Sequence, residues 1–104
     1  PLFLLHHAYG LLKRGYSVIL AHIERYRWFD PDSNLVNKLR EMGVYFQCNV
    51  EGVEKGEANR YLEIGLVDII AGDNHGDPAQ PARLAALLET HGTIRRRMEN
   101  LFRV

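Results

Sequence analysis

Three features are scarce or missing in this sequence of 104 residues, and each absence excludes a class of protein. Its single cysteine, Cys48, cannot form an internal disulfide, which fits a reducing compartment such as the cytoplasm. Basic and acidic residues number 13 each, so no overall field would recruit nucleic acid or an acidic membrane surface. No apolar run approaches the length of a membrane span, so we expect no membrane insertion.

The composition is that of an ordinary globular domain. Hydrophobic residues make up 46% and charged residues 25%, a balance that argues against disorder. A chain of this length is one domain at most and can bury roughly two thirds of the surface that its unfolded form exposes. Because the chain opens on Pro1 without an initiator methionine, we expect it to be the interior of a longer protein.

Strand-like and helix-like stretches alternate along the chain. Short apolar runs predict three strands buried on both faces, as in parallel sheets: 17–21, 44–49 and 67–71. Apolar residues at helical spacing predict five helices: 2–14, 34–42, 58–64, one that contains 84–88 and one over 94–102. The segment around Gly52 and Gly56 is expected to be a loop. This alternation predicts an α/β fold with a parallel sheet and right-handed crossovers.

Three parallel strands are few for a complete domain of this kind. They leave both edges of the sheet open, and buried parallel strands need cover on both faces. A closed barrel of alternating strands and helices usually takes about 250 residues. We therefore expect a partial (β/α) barrel, the later half of a longer one, whose open edges favour a homo-oligomer.

Potential metal ligands follow two of the predicted strands. His22 comes directly after the first strand, and Asp73 and His75 follow the third. The carboxyl ends of parallel strands share one rim, so we expect one shared site. Imidazole and carboxylate without thiolate suit manganese, iron or zinc. The alternative is that His22 is a hydrogen-bonded core histidine and that Asp73 caps a turn.

Further polar side chains lie near the same strand ends. Arg25 can offer its planar guanidinium to a phosphate beside the metals, or it can form an ion pair with Glu24 or a neighbouring helix. We interpret Glu24 as structural, holding the loop or orienting an imidazole. Gln47 and Asn49 share one face of the second strand, where their amides can line the rim. Cys48 takes the other face and is interpreted as plain packing.

Three motifs resemble those of a known family: Ala-His-Ile-Glu-Arg-Tyr at 21–26, Gln-Cys-Asn at 47–49 and Gly-Asp-Asn-His at 72–75. Together they resemble the second half of the polymerase and histidinol phosphatase (PHP) superfamily. The greatest similarity is to the manganese-dependent tyrosine-protein phosphatases of bacterial capsule and exopolysaccharide loci, which typically carry Ala-His-Pro-Glu-Arg-Tyr, Gln-x-Asn and Ser-Asp-Ala-His. The resemblance implies that residues 1–104 are the carboxyl-terminal portion of a PHP-type (β/α) barrel.

The same resemblance implies a metal-dependent phosphoesterase. It points to a protein-tyrosine phosphatase that acts on a cognate tyrosine kinase in capsule or exopolysaccharide biosynthesis. By position it implies that His22, Asp73 and His75 bind the metal, expected to be manganese with iron or zinc as alternatives. Arg25 would be the catalytic residue that binds phosphate. In that mechanism a metal-bridging hydroxide attacks phosphorus, while the metals and the arginine stabilise the transferring oxygens.

Several differences from the family pattern keep other functions open. Ile23 stands where proline is usual, Gly72 and Asn74 where serine and alanine are usual, and Gln80 where a second phosphate-binding arginine generally stands. The amino-terminal His-x-His motif of the family is absent, so we expect this segment alone to be inactive or nearly so. The alternatives are a degenerate, non-catalytic PHP module with a binding or regulatory role, and a small-molecule phosphatase of the same superfamily.

Overall fold

The computed structural model describes residues 2–72 and 77–103. Within these ranges the chain forms six α-helices, one 3₁₀ helix and three parallel strands, which confirms the predicted α/β class. The strands are β1 (Ile19–Leu20), β2 (Tyr45–Asn49) and β3 (Ile69–Ala71). The helices are α1 (Leu2–Lys13), α2 (Asn34–Glu41), α3 (Val50–Glu54), α4 (Asn59–Glu63), α5 (Gln80–Thr90), α6 (Gly92–Leu101) and the 3₁₀ helix (Ile23–Arg25).

The three strands form one sheet with β2 in the middle, parallel to both neighbours. Ile19 of β1 pairs with Tyr45, and Ala71 of β3 pairs with Asn49. All strands therefore end at the same edge of the sheet, which we call the carboxyl edge. The outer side of β1 carries the half-exposed Ile19, and self-association through such an edge stays a prediction.

The core lies on both faces of the sheet, where helices cover it. The helices α5 and α6 contact β3, α3 contacts the end of β2, and α1 packs against α2. The largest fully buried apolar side chains are Phe46, Ile23, Leu39, Ile70, Val36, Val50 and Val67. Within the described ranges, no helix is both long enough and apolar enough to cross a membrane.

Local signals explain where α2 begins and ends. The Ser33 hydroxyl accepts a hydrogen bond from the backbone N–H of Val36 at 3.2 Å, so Ser33 is the N-cap of α2. Gly43 has a φ of +91°, a left-handed backbone that ends the helix at little steric cost. The predicted bounds of this helix are correct to within one residue.

The predicted loop around Gly52 is wrong, because α3 occupies this segment. Gly52 lies inside the helix, where the carboxylate of Glu24 occupies the space that a Cβ atom would need. This glycine therefore leaves room for the Glu24 side chain against α3 and does not mark a turn. Gly56, with a φ of +81°, does lie in the turn that follows the helix.

Candidate functional site

His22 lies directly after β1 in a backbone conformation that is rare for its type. Its φ is +59° and its ψ is +43°, and no other non-glycine residue of the described ranges has a positive φ. Such a left-handed conformation costs about 1 to 3 kcal/mol and persists only where the surroundings hold it. The backbone N–H of His22 donates to Gln47 Oε1 at 2.8 Å, and its Nδ1 lies 2.6 Å from Asn49 Oδ1.

Gln47 and Asn49 lie on one face of β2, as the strand alternation predicts, and both are buried. Gln47 Nε2 donates to Asn49 Oδ1 at 3.0 Å and to the Cys48 carbonyl at 2.8 Å. The two amides thus form a connected pair at the end of the central strand, and both contact His22. Sequence reasoning placed these amides at the rim but did not predict that they contact the histidine.

Glu24 has a structural role, as interpreted from the sequence. Its Oε2 accepts a hydrogen bond from the backbone N–H of Asn49 at 3.0 Å, so the 3₁₀ helix is tied to the end of β2. Burial, with the charge of Glu24 and a hydrogen bond to it, raises the pKa of the Cys48 thiol well above its ordinary value. Cys48 is therefore a neutral, fully buried thiol, which fits plain packing.

Two buried polar atoms at this edge have no hydrogen-bond partner in the described part of the chain. They are Glu24 Oε1 and Asn49 Nδ2. Buried polar groups nearly always have partners, and exceptions concentrate at functional sites. Both atoms belong to residues that hold the segment around His22, so the exceptions lie where the sequence predicts a site.

Arg25 is exposed at the end of the 3₁₀ helix. It forms no ion pair with Glu24, because that carboxylate is turned towards Asn49. No other described side chain forms a salt bridge with Arg25 either. The guanidinium therefore faces solvent on the segment that follows His22, a position from which it can meet a phosphate group.

The other two predicted ligands, Asp73 and His75, lie outside the described residues. The structure does show where the chain leads into them, because Ala71 pairs with Asn49 at the carboxyl edge. Within residues 2–72 and 77–103, no three His, Cys, Asp or Glu side chains are close enough to hold a metal ion. The shared site of His22, Asp73 and His75 therefore stays a prediction.

The surroundings of His22 fit a metal ligand. Its Nδ1 is held by a neutral amide oxygen, and its Nε2 makes no hydrogen bond to any described residue. Metal-binding histidines are usually held in this way, with one ring nitrogen fixed by the protein and the other left for the metal. The Nδ1 hydrogen bond is also what the alternative, a hydrogen-bonded core histidine, requires, but His22 is only half-buried. The metal role of His22 stays a prediction.

Gln80 is not placed as a phosphate-binding side chain would be. It is buried at the start of α5, with 4% of its surface exposed. A Cβ atom at Gly72 would lie 2.6 Å from Gln80 Oε1, so the glutamine side chain rests directly on the glycine backbone. The two differences from the family pattern at 72 and 80 are therefore in contact, which the sequence did not reveal.

An ion-pair cluster supports the segment that follows residue 76. Arg83 of α5 forms a forked ion pair with Glu54 at the end of α3 and donates to Asp77 Oδ2 at 2.8 Å. Hydrogen bonding to Arg83 lowers the pKa of Glu54. Sequence reasoning missed this cluster, because 29 residues separate Glu54 from Arg83.

Comparisons with known proteins agree with this architecture. Residues 4–102 match the family model "Capsular polysaccharide synthesis, CpsB/CapC". The tyrosine-protein phosphatase CpsB of Streptococcus pneumoniae is 33% identical, over 69% of this chain and 35% of that protein. The protein of the same name from Streptococcus agalactiae serotype V is 30% identical, over 73% of this chain and 36% of the relative. No solved structure matches the chain significantly.

The lengths of the relatives limit what is transferred from them. The chain spans about a third of the length of the curated relatives that it matches. The family match itself covers nearly all of this chain, including the segments around His22, Gln47 and Gln80. The chain therefore belongs to the CpsB/CapC family of capsular polysaccharide synthesis proteins.

Proposed function

We propose that this chain carries part of the active site of a metal-dependent protein-tyrosine phosphatase of capsule or exopolysaccharide biosynthesis. The observation that carries the proposal is the conformation of His22, which two buried amides hold at the carboxyl edge in a left-handed backbone. The names of the relatives support the reaction. In this proposal, residues 1–104 are the carboxyl-terminal portion of a PHP-type (β/α) barrel in the cytoplasm.

Each candidate residue has a distinct role in the proposed site. His22, Asp73 and His75 would hold the metal, with manganese as the first choice and iron or zinc as alternatives. Such a metal, when bound, would neutralise charge on the phosphoryl oxygens and polarise the attacking water. Arg25 would bind two phosphate oxygens with its guanidinium and stabilise the charge that they carry during transfer.

The substrate in this proposal is phosphotyrosine on a protein, with a cognate tyrosine kinase as the partner. Arg25 is exposed, so a phosphate on the surface of another protein can reach it. Two imidazoles and one carboxylate do not complete the shells of two or three metals. We therefore expect full activity to require a longer protein and this chain alone to be inactive or nearly so.

The test combines metal binding with a substrate panel. Isothermal titration of the chain with Mn²⁺ should give binding that His22→Ala and Asp73→Ala abolish. The product of the longer reading frame should hydrolyse a phosphotyrosine peptide faster than a sugar phosphate or histidinol phosphate. A preference for the small molecules would instead support the small-molecule phosphatase.

Gln80 favours a second candidate, the non-catalytic module with a binding or regulatory role. A buried glutamine that rests on Gly72 cannot reach out to a phosphate as a charged arm. A longer protein that folds without bound metal, and that hydrolyses none of the three substrates, would contradict the enzyme and support the module.

A further inference from the structure

We propose that Gln47 and Asn49 are positioning residues that fix His22 in the tautomer with the proton on Nδ1. Its Nε2 then carries the lone pair. The assignment of the tautomer stands on the hydrogen bonds alone. Only the use of that lone pair as a metal ligand rests on the proposed function.

The first step is the orientation of the Gln47 amide. A backbone N–H can only donate, and that of His22 points at the Gln47 side chain at 2.8 Å. The atom that receives it must therefore be the oxygen, Oε1. This contact removes the usual ambiguity between the oxygen and nitrogen of a glutamine amide.

The second step is the orientation of Asn49. With Gln47 Oε1 turned to His22, Gln47 Nε2 points at the Cys48 carbonyl at 2.8 Å and at the Asn49 side chain at 3.0 Å. The Cys48 carbonyl can only accept a hydrogen bond, so the Gln47 atom that faces it must be the nitrogen Nε2. The Ala71 carbonyl is a third and more distant acceptor for Gln47 Nε2, at 3.5 Å. At 3.0 Å from this donor, the Asn49 atom must be an oxygen, Oδ1, because an amide nitrogen there would bring two donors together.

The third step is the proton on the imidazole. The same Asn49 Oδ1 lies 2.6 Å from His22 Nδ1. An amide oxygen can only accept, so Nδ1 must carry the proton in this contact. A neutral imidazole has one N–H, and its Nε2 is then the nitrogen with the lone pair. The chain of donors and acceptors begins and ends at His22, so the backbone of this residue determines the tautomer of its own ring.

The strand that holds the ring also holds the backbone. Gln47 and Asn49 are 6% and 1% exposed, and they sit next to Ile69 and Ala71 of β3 in the sheet. Glu24 adds a further tie through the Asn49 backbone N–H. The left-handed backbone of His22 and the direction of its ring are therefore set by buried neighbours, as a site that needs one ring orientation requires.

The decisive measurement needs no metal. Long-range ¹H–¹⁵N correlation spectra of the metal-free chain, recorded where the ring is neutral, show which nitrogen of His22 is protonated. We expect a protonated Nδ1 and an unprotonated Nε2. A protonated Nε2, or an even mixture, would overturn the assignment.

Three variants test whether the amides cause this state. Asn49→Leu removes the acceptor while it keeps the branched shape of the side chain, and it should abolish the bias towards the Nδ1 proton. Asn49→Asp keeps an acceptor for both donors and should retain it. Tyr45→Phe, at the amino end of the same strand, is the matched control and should leave the spectrum of the ring unchanged. An unaltered tautomer in a folded Asn49→Leu chain contradicts the proposal.

Manganese titration separates this inference from the proposed function. We expect Asn49→Leu to weaken Mn²⁺ binding by about 10- to 100-fold, while Asn49→Asp and Tyr45→Phe bind it. If the wild-type chain shows the Nδ1 proton but binds no metal, the positioning claim stands and the metal role of His22 fails. If Asn49→Leu does not fold, the wild-type spectrum still decides the tautomer.

Discussion

The two ends of the sheet are built differently. At the amino end, Arg97 donates to the carbonyls of Gly65 and Val67 at 3.0 and 2.8 Å. Asp68, which lies 3.8 Å from Arg97, accepts from the Phe46 backbone N–H at 3.0 Å. Charged side chains thus satisfy backbone groups at this end, and the described residues with a positive φ shortly before β2 and β3 are glycines, which adopt that backbone at little cost.

At the carboxyl end the contacts are made by two neutral amides and the Glu24 carboxylate, and they leave polar atoms without a partner in the described part of the chain. The two buried side-chain atoms that lack a partner in the described part, on Glu24 and Asn49, both lie there, as does the left-handed His22. Unpaired polar atoms and backbone strain both cost stability. This difference supports the proposal that a site lies at the carboxyl end, which is the end at which barrel enzymes carry theirs.

The largest loss of stability is expected for Gly52→Ala. A Cβ at this position overlaps the Glu24 carboxylate, so Glu24 must move and its hydrogen bond to Asn49 is lost. We expect a loss of about 3 kcal/mol in the free energy of unfolding, measured by urea denaturation. Gly10→Ala is the control, because no atom lies near Gly10 in α1 and alanine there should stabilise by up to about 1 kcal/mol.

Gly52 also shows which features of this chain can be predicted from its sequence and which cannot. The three strands, their parallel arrangement and the bounds of α2 were predictable, because they follow from short runs of apolar residues and their alternation along the chain. Gly52 was misread as a loop signal, because the reason for it is Glu24, which lies far away along the chain. The contact of Gln80 with Gly72 and the link from Asn49 to His22 were hidden for the same reason.

A smaller effect is expected at the amino end. Arg97→Ala removes two hydrogen bonds to carbonyl oxygens. It also removes the ion pair between Arg97 and Asp68. We expect a loss of about 1 to 2 kcal/mol in the free energy of unfolding. The tautomer of His22 and Mn²⁺ binding should not change, because the two ends are separate. A changed imidazole spectrum in this variant would contradict the division of the sheet into a structural and a functional end.

His22→Gly should separate function from stability. Glycine adopts the left-handed backbone without the strain that His22 bears, which offsets its greater freedom in the unfolded chain. We expect the free energy of unfolding to stay within about 1 kcal/mol of wild type, whereas Mn²⁺ binding is lost. His22→Ala keeps the strain and should be less stable than His22→Gly by about 1 kcal/mol. Equal stability of the two variants would show that the backbone is not strained.

The smallest effect is expected at the exposed ion pair that braces the carboxyl end. Arg83 lowers the pKa of Glu54, so the ionised carboxylate is favoured in the folded chain. A lowered pKa in the folded state contributes stability above the unfolded value of about pH 4.3, and this stability is lost as the pH falls through the folded value. Wild type should therefore lose stability more steeply than Arg83→Met as the pH falls below about 4.

Thermal unfolding of both proteins between about pH 3 and pH 7 measures this difference. Lys38→Met, which removes an exposed cation on α2, is the control and should follow the wild-type curve. Parallel curves for wild type and Arg83→Met would mean that solvent screens the pair completely. The carboxyl end would then depend on its buried contacts alone. It would differ even more from the amino end, where the charged side chain of Arg97 contributes to stability.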